Sequence, residues 1–204
     1  MNHLSSPGFG IYVAHAVAAA AFVTARLIGR ASLRDKQSAT AGAERAKKKD
    51  SAPYSRMLVG FHAVGFGILY FGIANAVLGG QPVALFESQA LAGGIVIGCG
   101  TALSCWALLH FRSWRFRASL EVGHQLVTDG PFRFLRHPIY MAINMFALGT
   151  ALWIPTPTAW IAFALIVVGS DLRARAEEAL LHRTFGERYA AYCSRTRRFV
   201  PLLY

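Results

Sequence analysis

Three stretches of this chain, 8–28, 57–78 and 88–110, and a fourth of about 30 residues, 139–169, are almost wholly apolar. About 20 apolar residues in a helix cross the roughly 30 Å of bilayer hydrocarbon, at about 1.5 Å per residue. In lipid every backbone polar group must be paired inside the protein, which leaves helices as the economical solution. The fourth stretch is interrupted by Ile154-Pro155-Thr156-Pro157. Each proline removes a helical N–H and restricts the residue before it, so the stretch is predicted to fold as a helical hairpin with a short first arm. That arm is tilted in thinned bilayer or partly re-entrant. The second arm has no breaker before Phe185 and carries its helix out of the membrane. The expected fold is all-α: a polytopic bundle of about five transmembrane helices.

Hydrophobic residues make up 54% of the 204, too many for an ordinary soluble domain. The formal charge of +11 would otherwise suggest nucleic acid. In a membrane chain it is better spent on cytoplasmic loops facing anionic lipids, and no nucleic-acid partner is expected. The 21 Lys and Arg residues fall as nine in 26–56, five in 112–136 and seven in 173–198. Five crossings put all three groups on one side, which predicts an N-terminus outside and a C-terminus in the cytoplasm. The start, MNHLSSPGFG, lacks a signal peptide's basic region, so the first apolar block is expected to stay as a span. The run Lys47-Lys48-Lys49 reads as part of a solvated loop. Cys99, Cys105 and Cys193 form neither a disulfide framework nor a metal-type spacing.

Within the spans, Gly93, Gly94, Gly98 and Gly100 suit close helix approach, and Gly94 with Gly98 has the GxxxG spacing. His15 and His62 are expected to be hydrogen-bonded inside the bundle rather than to serve as ligands or proton carriers.

The polar chemistry gathers in two places. Residues 123–140 read GHQLVTDGPFRFLRHPIY, with His124, Thr128, Asp129, Arg133, Arg136, His137 and Tyr140 where a plain connection would need none. Pro138 marks a helix start, which sets His137 at the entrance, where the first N–H groups of a helix are open to a ligand. The second place is the tail, RARAEEALLHRTFGERYAAYCSRTRRFVP from Arg173 onward. Steps of three or four put Glu178, His182, Phe185 and Tyr189 on one side of a helix, and the topology brings this tail to the same membrane face as the first motif. Alone, the carboxylates and arginines would be ordinary salt-bridging.

Together, the two motifs resemble the isoprenylcysteine carboxyl methyltransferase and phospholipid methyltransferase group of membrane enzymes. The family pattern runs approximately LVTxGPYxxxRHPxY and then, after a helical hairpin, EExxLxxxFGxxYxxYxxRxxRxxP. Leu126, Val127, Thr128, Gly130, Pro131, Arg136, His137, Pro138 and Tyr140 match its first part; Glu177, Glu178, Leu181, Phe185, Gly186, Tyr189, Tyr192, Arg195, Arg198 and Pro201 match its second. The likeness covers roughly the C-terminal 80 residues, with Phe132 where tyrosine is common and Met141-Ala142 where a glycine often follows. It divides the chain into a three-span region, 1–111, with a basic loop at 29–56, and a methyltransferase core, 112–204.

The resemblance implies an S-adenosyl-L-methionine-dependent methyltransferase with a cytoplasm-facing cofactor pocket. It points to His124, Gln125, Leu126, Val127, Arg136, His137, Tyr140, Glu177, Glu178 and Tyr189 as cofactor contacts. Glu178 and Arg173 are the catalytic candidates, Arg173 to orient an acceptor carboxylate. The cofactor's ammonium and sulfonium suit carboxylates and aromatic faces, and its carboxylate suits donors. No metal is called for. The implied acceptor is lipophilic, an isoprenylcysteine-like carboxylate; the alternatives are a phospholipid amine or a small thiol. A membrane reductase and a non-catalytic membrane protein are remoter readings.

Overall fold

The computed structural model describes residues 7–38, 50–51, 55–79, 87–110, 119–120 and 126–200. The helices are α1 (Pro7–Ser38), α2 (Ser55–Leu78), α3 (Glu87–His110), α4 (Pro138–Trp153), α5 (Pro157–Phe185) and α6 (Glu187–Cys193), with a 3-10 turn at Gly130–Arg133. The fold is the expected polytopic helix bundle. Two residues, Asp50–Ser51, pair antiparallel with Ser119–Leu120. His124, Gln125, Lys47-Lys48-Lys49 and the division at 111/112 lie outside the described residues.

Four helices, α1, α2, α3 and α5, are long and apolar enough to cross a membrane. Their outer faces carry large side chains with no protein cover, such as Phe71 and Leu91, 67% and 66% exposed. That is the surface a helix shows to lipid. At 16 residues α4 is about 24 Å long, short of a full crossing, as the proline pair predicts. Thr156 caps α5, its hydroxyl accepting the Ala159 N–H at 3.3 Å, and Pro157 takes the first helical position. The 29 residues of α5 reach roughly 43 Å, so its last third, from about Ala176, stands clear of the hydrocarbon. At the same end of the bundle α1 outlasts its apolar block by ten residues, carrying helix into the basic segment.

Helix α1 lies beside α3, α3 beside α4, α4 beside α5 and α5 beside α2. Ile11, Leu69, Ile73, Ala147, Ala151, Ala162 and Ile166 pack where these helices meet. The closest approach is between α3 and α4, and it corrects the glycine expectation. A Cβ on Gly93 would overlap the Gly149 carbonyl, and one on Gly100 would press on the Ala142 carbonyl, whereas one on Gly98 would meet nothing. The backbone contact therefore runs through Gly93 and Gly100, seven residues apart; Gly94 receives the Trp153 ring. A seven-residue repeat keeps one face toward a partner over two turns, which a single four-residue step does not.

His15 and His62 behave as expected. His15 bonds Thr150 at 3.0 Å and Tyr70 at 3.3 Å; His62 bonds Ser170 at 3.1 Å, and Ser170 bonds Asn144 at 2.8 Å. These contacts join α1 to α2 and α4, and α2 to α5 and α4.

Candidate active site

Leu126 to Thr128 run without regular structure to Asp129, after which Gly130 turns the chain with a φ of 56°. Any side chain there would be strained and would also run into the His110 ring at the end of α3. The 3-10 turn delivers buried Phe132, and the chain then enters α4 at Pro138. Beside this entrance lies the segment after α6. Leu135 forms a parallel bridge with Arg197. The N–H groups of Arg136 and His137 donate to the Arg197 and Arg198 carbonyls at 2.7 and 3.2 Å, and the Arg197 N–H donates to the Phe134 carbonyl at 3.2 Å. This corrects the reading of the helix entrance as open to a ligand at His137: that backbone donor is already taken, because a second strand of chain lies against it.

A second correction concerns the tail helix. Helix α5 ends at Phe185 because Gly186 takes a φ of 51°, and Tyr189 belongs to the separate α6. Glu178, His182, Phe185 and Tyr189 therefore do not share one helical face. Tyr189 comes back by the turn, its ring edge-on to His182 at 4.7 Å. Phe185 packs with Leu180 and Leu181.

The two glutamates have separated roles. Glu178 is held by three cations: Arg136 Nε at 2.9 Å, Arg198 Nη2 at 2.6 Å and His137 Nε2 at 3.3 Å. Burial works against its charge, yet these donors hold its carboxyl well below the usual carboxylate range. Arg136 also donates to the carbonyls of Thr196 at 2.6 Å and Cys193 at 3.2 Å, so a single guanidinium ties α5, the helix entrance and the tail together. Arg198 reaches on to Asp171 at 3.2 Å.

Glu177 faces the other way. It accepts the Tyr140 hydroxyl and lies 3.6 Å from His137 Nδ1. His137 is thus set between two carboxylates with a ring nitrogen toward each. Burial alone would lower its pKa, but hydrogen bonds and charge from Glu177 and Glu178 outweigh it and raise the value above 6.5. The folded state therefore holds its proton more tightly than the unfolded chain. Its contribution to stability is complete below pH 6.5 and is lost as pH rises through the higher folded value. The unfolding midpoint of the protein should fall with increasing pH above 6.5, and His137→Gln should flatten that slope; an unchanged slope in the variant would assign the proton elsewhere.

Beside these groups is a cleft enclosing about 580 Å³ including its open mouth. Its walls are Leu126 and Val127, Phe132, Arg136 to Tyr140, Glu177 and Leu181, and Tyr189 and Tyr192. The His137 ring stacks on Tyr140, 5.6 Å between centroids and 20° between planes. The Arg173 guanidinium lies over the Tyr140 ring at 5.0 Å and is 4% exposed. Tyr189 is fully buried, and its hydroxyl, near the Cys193 thiol, makes no hydrogen bond among the described residues. Burial, aided by the Glu178 charge, pushes its pKa up and keeps it a neutral donor.

Of the residues singled out in the sequence, Leu126, Val127, Arg136, His137, Tyr140, Glu177 and Tyr189 meet at this cleft. Glu178 stands behind the wall as its tie, and Arg173 backs it through Tyr140. Phe132, Ile139, Leu181 and Tyr192 also line it without having been singled out as contacts. Tyr192 does so while its hydroxyl donates to the Phe132 carbonyl at 2.7 Å. Leu181, Tyr192 and Arg198 all fell within the matched motif, which was the signal available for them. Among the described residues no group of acidic, histidine and cysteine side chains is arranged to hold a metal.

His137 and Glu177, from ahead of and behind a proline-broken hairpin, thus meet among aromatic rings at one cleft, and comparison with known proteins says what chains carry this pattern. The pattern of the phospholipid methyltransferase family matches residues 88–188, from α3 into α6. The match reaches back one helix further than the motifs do. Among curated proteins, residues of this chain are 34% identical over 84 residues to protein-S-isoprenylcysteine O-methyltransferase B of Arabidopsis thaliana, covering 41% of this chain and 43% of that protein. The Schizosaccharomyces pombe protein-S-isoprenylcysteine O-methyltransferase is 33% identical over 81 residues, covering 39% and 34%, and the Homo sapiens one 34% over 83 residues, covering 39% and 28%. The alignments span under half the length of these relatives. This match and the four long apolar helices together make this an integral membrane protein.

Proposed function

We propose that the chain is an S-adenosyl-L-methionine-dependent methyltransferase and that its acceptor is a lipophilic molecule bearing a carboxylate, of the isoprenylcysteine kind. The observation that carries the reading is the cleft itself. Glu177, His137, Tyr140 and the uncommitted Tyr189 hydroxyl converge on one space from three separate segments. The residues present suit the cofactor: the Glu177 carboxylate for an ammonium or ribose hydroxyls, the Tyr140 ring for a sulfonium, and the Tyr189 hydroxyl and Arg136 as donors. When bound, the cofactor supplies a methyl group already activated for in-line displacement. The chain's own work is then alignment and exclusion of water, both served by a cleft walled with Phe132, Ile139 and Leu181.

The carboxylate acceptor is favoured over an amine by Arg173. A buried guanidinium beside the cleft attracts an anionic acceptor and repels an ammonium. From behind the Tyr140 ring its charge would draw such a carboxylate toward the cleft, and an acceptor already ionised needs no deprotonation step.

The test is calorimetric binding of S-adenosylmethionine and S-adenosylhomocysteine to the purified protein, followed by radiolabelled methyl transfer to a prenylcysteine, a phospholipid amine and a small thiol. Saturable binding with transfer to the prenylcysteine supports the reading. No binding by a folded sample removes it, and transfer to the amine alone removes the role given to Arg173.

The orientation that agrees with the charge distribution has the cleft on the cytoplasmic face, with anionic lipids against its basic segments. Single cysteines placed at 3 and 45 in a chain stripped of its own three should label from opposite sides of sealed vesicles. Labelling from one side would overturn this orientation.

A further inference from the structure

A second cavity lies among α1, α2, α3 and α4, enclosing about 750 Å³ including its opening, with Ala18, Phe22, Phe66, Ile143 and Phe146 in its walls. It exists because α1 and α2 are not a closely packed pair among the described residues; His15 bridges the gap instead. Ile139 of α4 lines the cofactor cleft and Ile143, one turn on, lines this cavity, so the two are neighbours with separate walls.

The polar groups of this cavity are all of one kind. The Thr150 hydroxyl donates to the Phe146 carbonyl at 2.8 Å, so it meets His15 Nε2, at 3.0 Å, as an acceptor. Nε2 then carries the proton of a neutral ring, and bare Nδ1 accepts the Tyr70 hydroxyl at 3.3 Å. The Tyr70 oxygen is left with lone pairs and no hydrogen to give. Thr101 donates to the Ile97 carbonyl at 2.8 Å and Ser104 to the Thr101 carbonyl at 2.8 Å, which spends those hydrogens too. Tyr70, Thr101 and Ser104 all line the cavity. Three oxygens thus face an apolar space as acceptors only.

We propose that this cavity is a ligand site for a membrane-dissolved molecule with a hydrocarbon body and a hydroxyl end. Hydrocarbon fills the apolar walls, and the hydroxyl supplies the donor that the wall oxygens lack. An ester-linked acyl chain offers acceptors alone and leaves them unpaired, as does an ether, at the cost of a missing hydrogen bond. The inference concerns binding and does not depend on methyl transfer.

The experiment uses the full chain in nanodiscs of saturated phosphatidylcholine, with retention of radiolabelled 1-dodecanol compared with dodecyl methyl ether, whose oxygen only accepts. One hydrogen bond of about 1.4 kcal/mol corresponds to about a tenfold preference for the alcohol. Ala19 of α1 lines the cavity at its exposed opening, so Ala19→Phe, which obstructs that opening, should abolish saturable retention, and Tyr70→Phe with Thr101→Val should cut the preference to about threefold or less. Equal binding of alcohol and ether by the wild-type protein would overturn the proposal whatever the variants do. So would saturable binding that survives Ala19→Phe in a sample whose helical circular dichroism is unchanged, since the alcohol would then sit elsewhere.

Discussion

Glu178→Ala is expected to be the most damaging single substitution in the C-terminal half of the chain, costing about 3–5 kcal/mol of stability. Removing one partner of a buried charge cluster leaves the others without compensation, and here three cations share the one carboxylate. Arg136 would be left with carbonyl partners and no counter-charge, and Arg198 with Asp171 as its remaining carboxylate. Because Arg136 also holds the Thr196 and Cys193 carbonyls, the tail should loosen along with the carboxylate's site. Cofactor affinity would fall as a secondary effect. The check is the unfolding midpoint in detergent, with exposed Glu187→Ala as control. Similar midpoints for the two variants would mean that Glu178 is not the tie described here.

Glu177→Ala should give the opposite pattern: cofactor binding weakened by about 10- to 100-fold with a far smaller change in unfolding midpoint. A charge-assisted hydrogen bond to a ligand is worth about 1.5–3 kcal/mol, which sets that range. Glu177 lines the cleft, and its protein partners are Tyr140 and, more distantly, His137, both of which keep other contacts when it is removed. Glu177→Gln should recover part of the lost affinity if ribose hydroxyls are the ligand groups, and little of it if an ammonium is. Unaltered affinity in Glu177→Ala would move the cofactor's cationic end to another wall of the cleft.

These two neighbours show where the sequence stops being informative. The EE pair was visible as a motif, and its order and spacing relative to the HPxY segment led to the family. Which glutamate meets a ligand is another matter. Successive residues on a helix point about 100° apart, so the two can flank one group, as they flank His137, while only one of them lines the cleft. The choice is made by how α5 is rotated against α4 and α2, a matter of packing over its whole length. The four apolar blocks and the proline-broken hairpin were legible because lipid imposes length and polarity directly on composition. The Gly93 and Gly100 contact was not, since α3 carries four glycines and only the position of α4 decides which of them are covered. The pairing of Leu135 with Arg197 left no trace in either segment, as one isolated bridge asks nothing particular of its side chains. The turn at Gly186 was marked by its glycine, but a turn and a continuing helix both agree with the motif's spacing.

That pairing has a consequence for how the protein is made. Arg197 and Arg198 close the cleft from behind, and they are synthesised after every apolar helix in the chain. While the helices are entering the membrane, Glu178 therefore lacks one of its two guanidiniums, and the Arg136 and His137 N–H groups lack their carbonyl partners. The cleft is complete only once the bundle is inserted and the last segment has come to rest against it, so the order of synthesis makes the closing of this site the last step of folding.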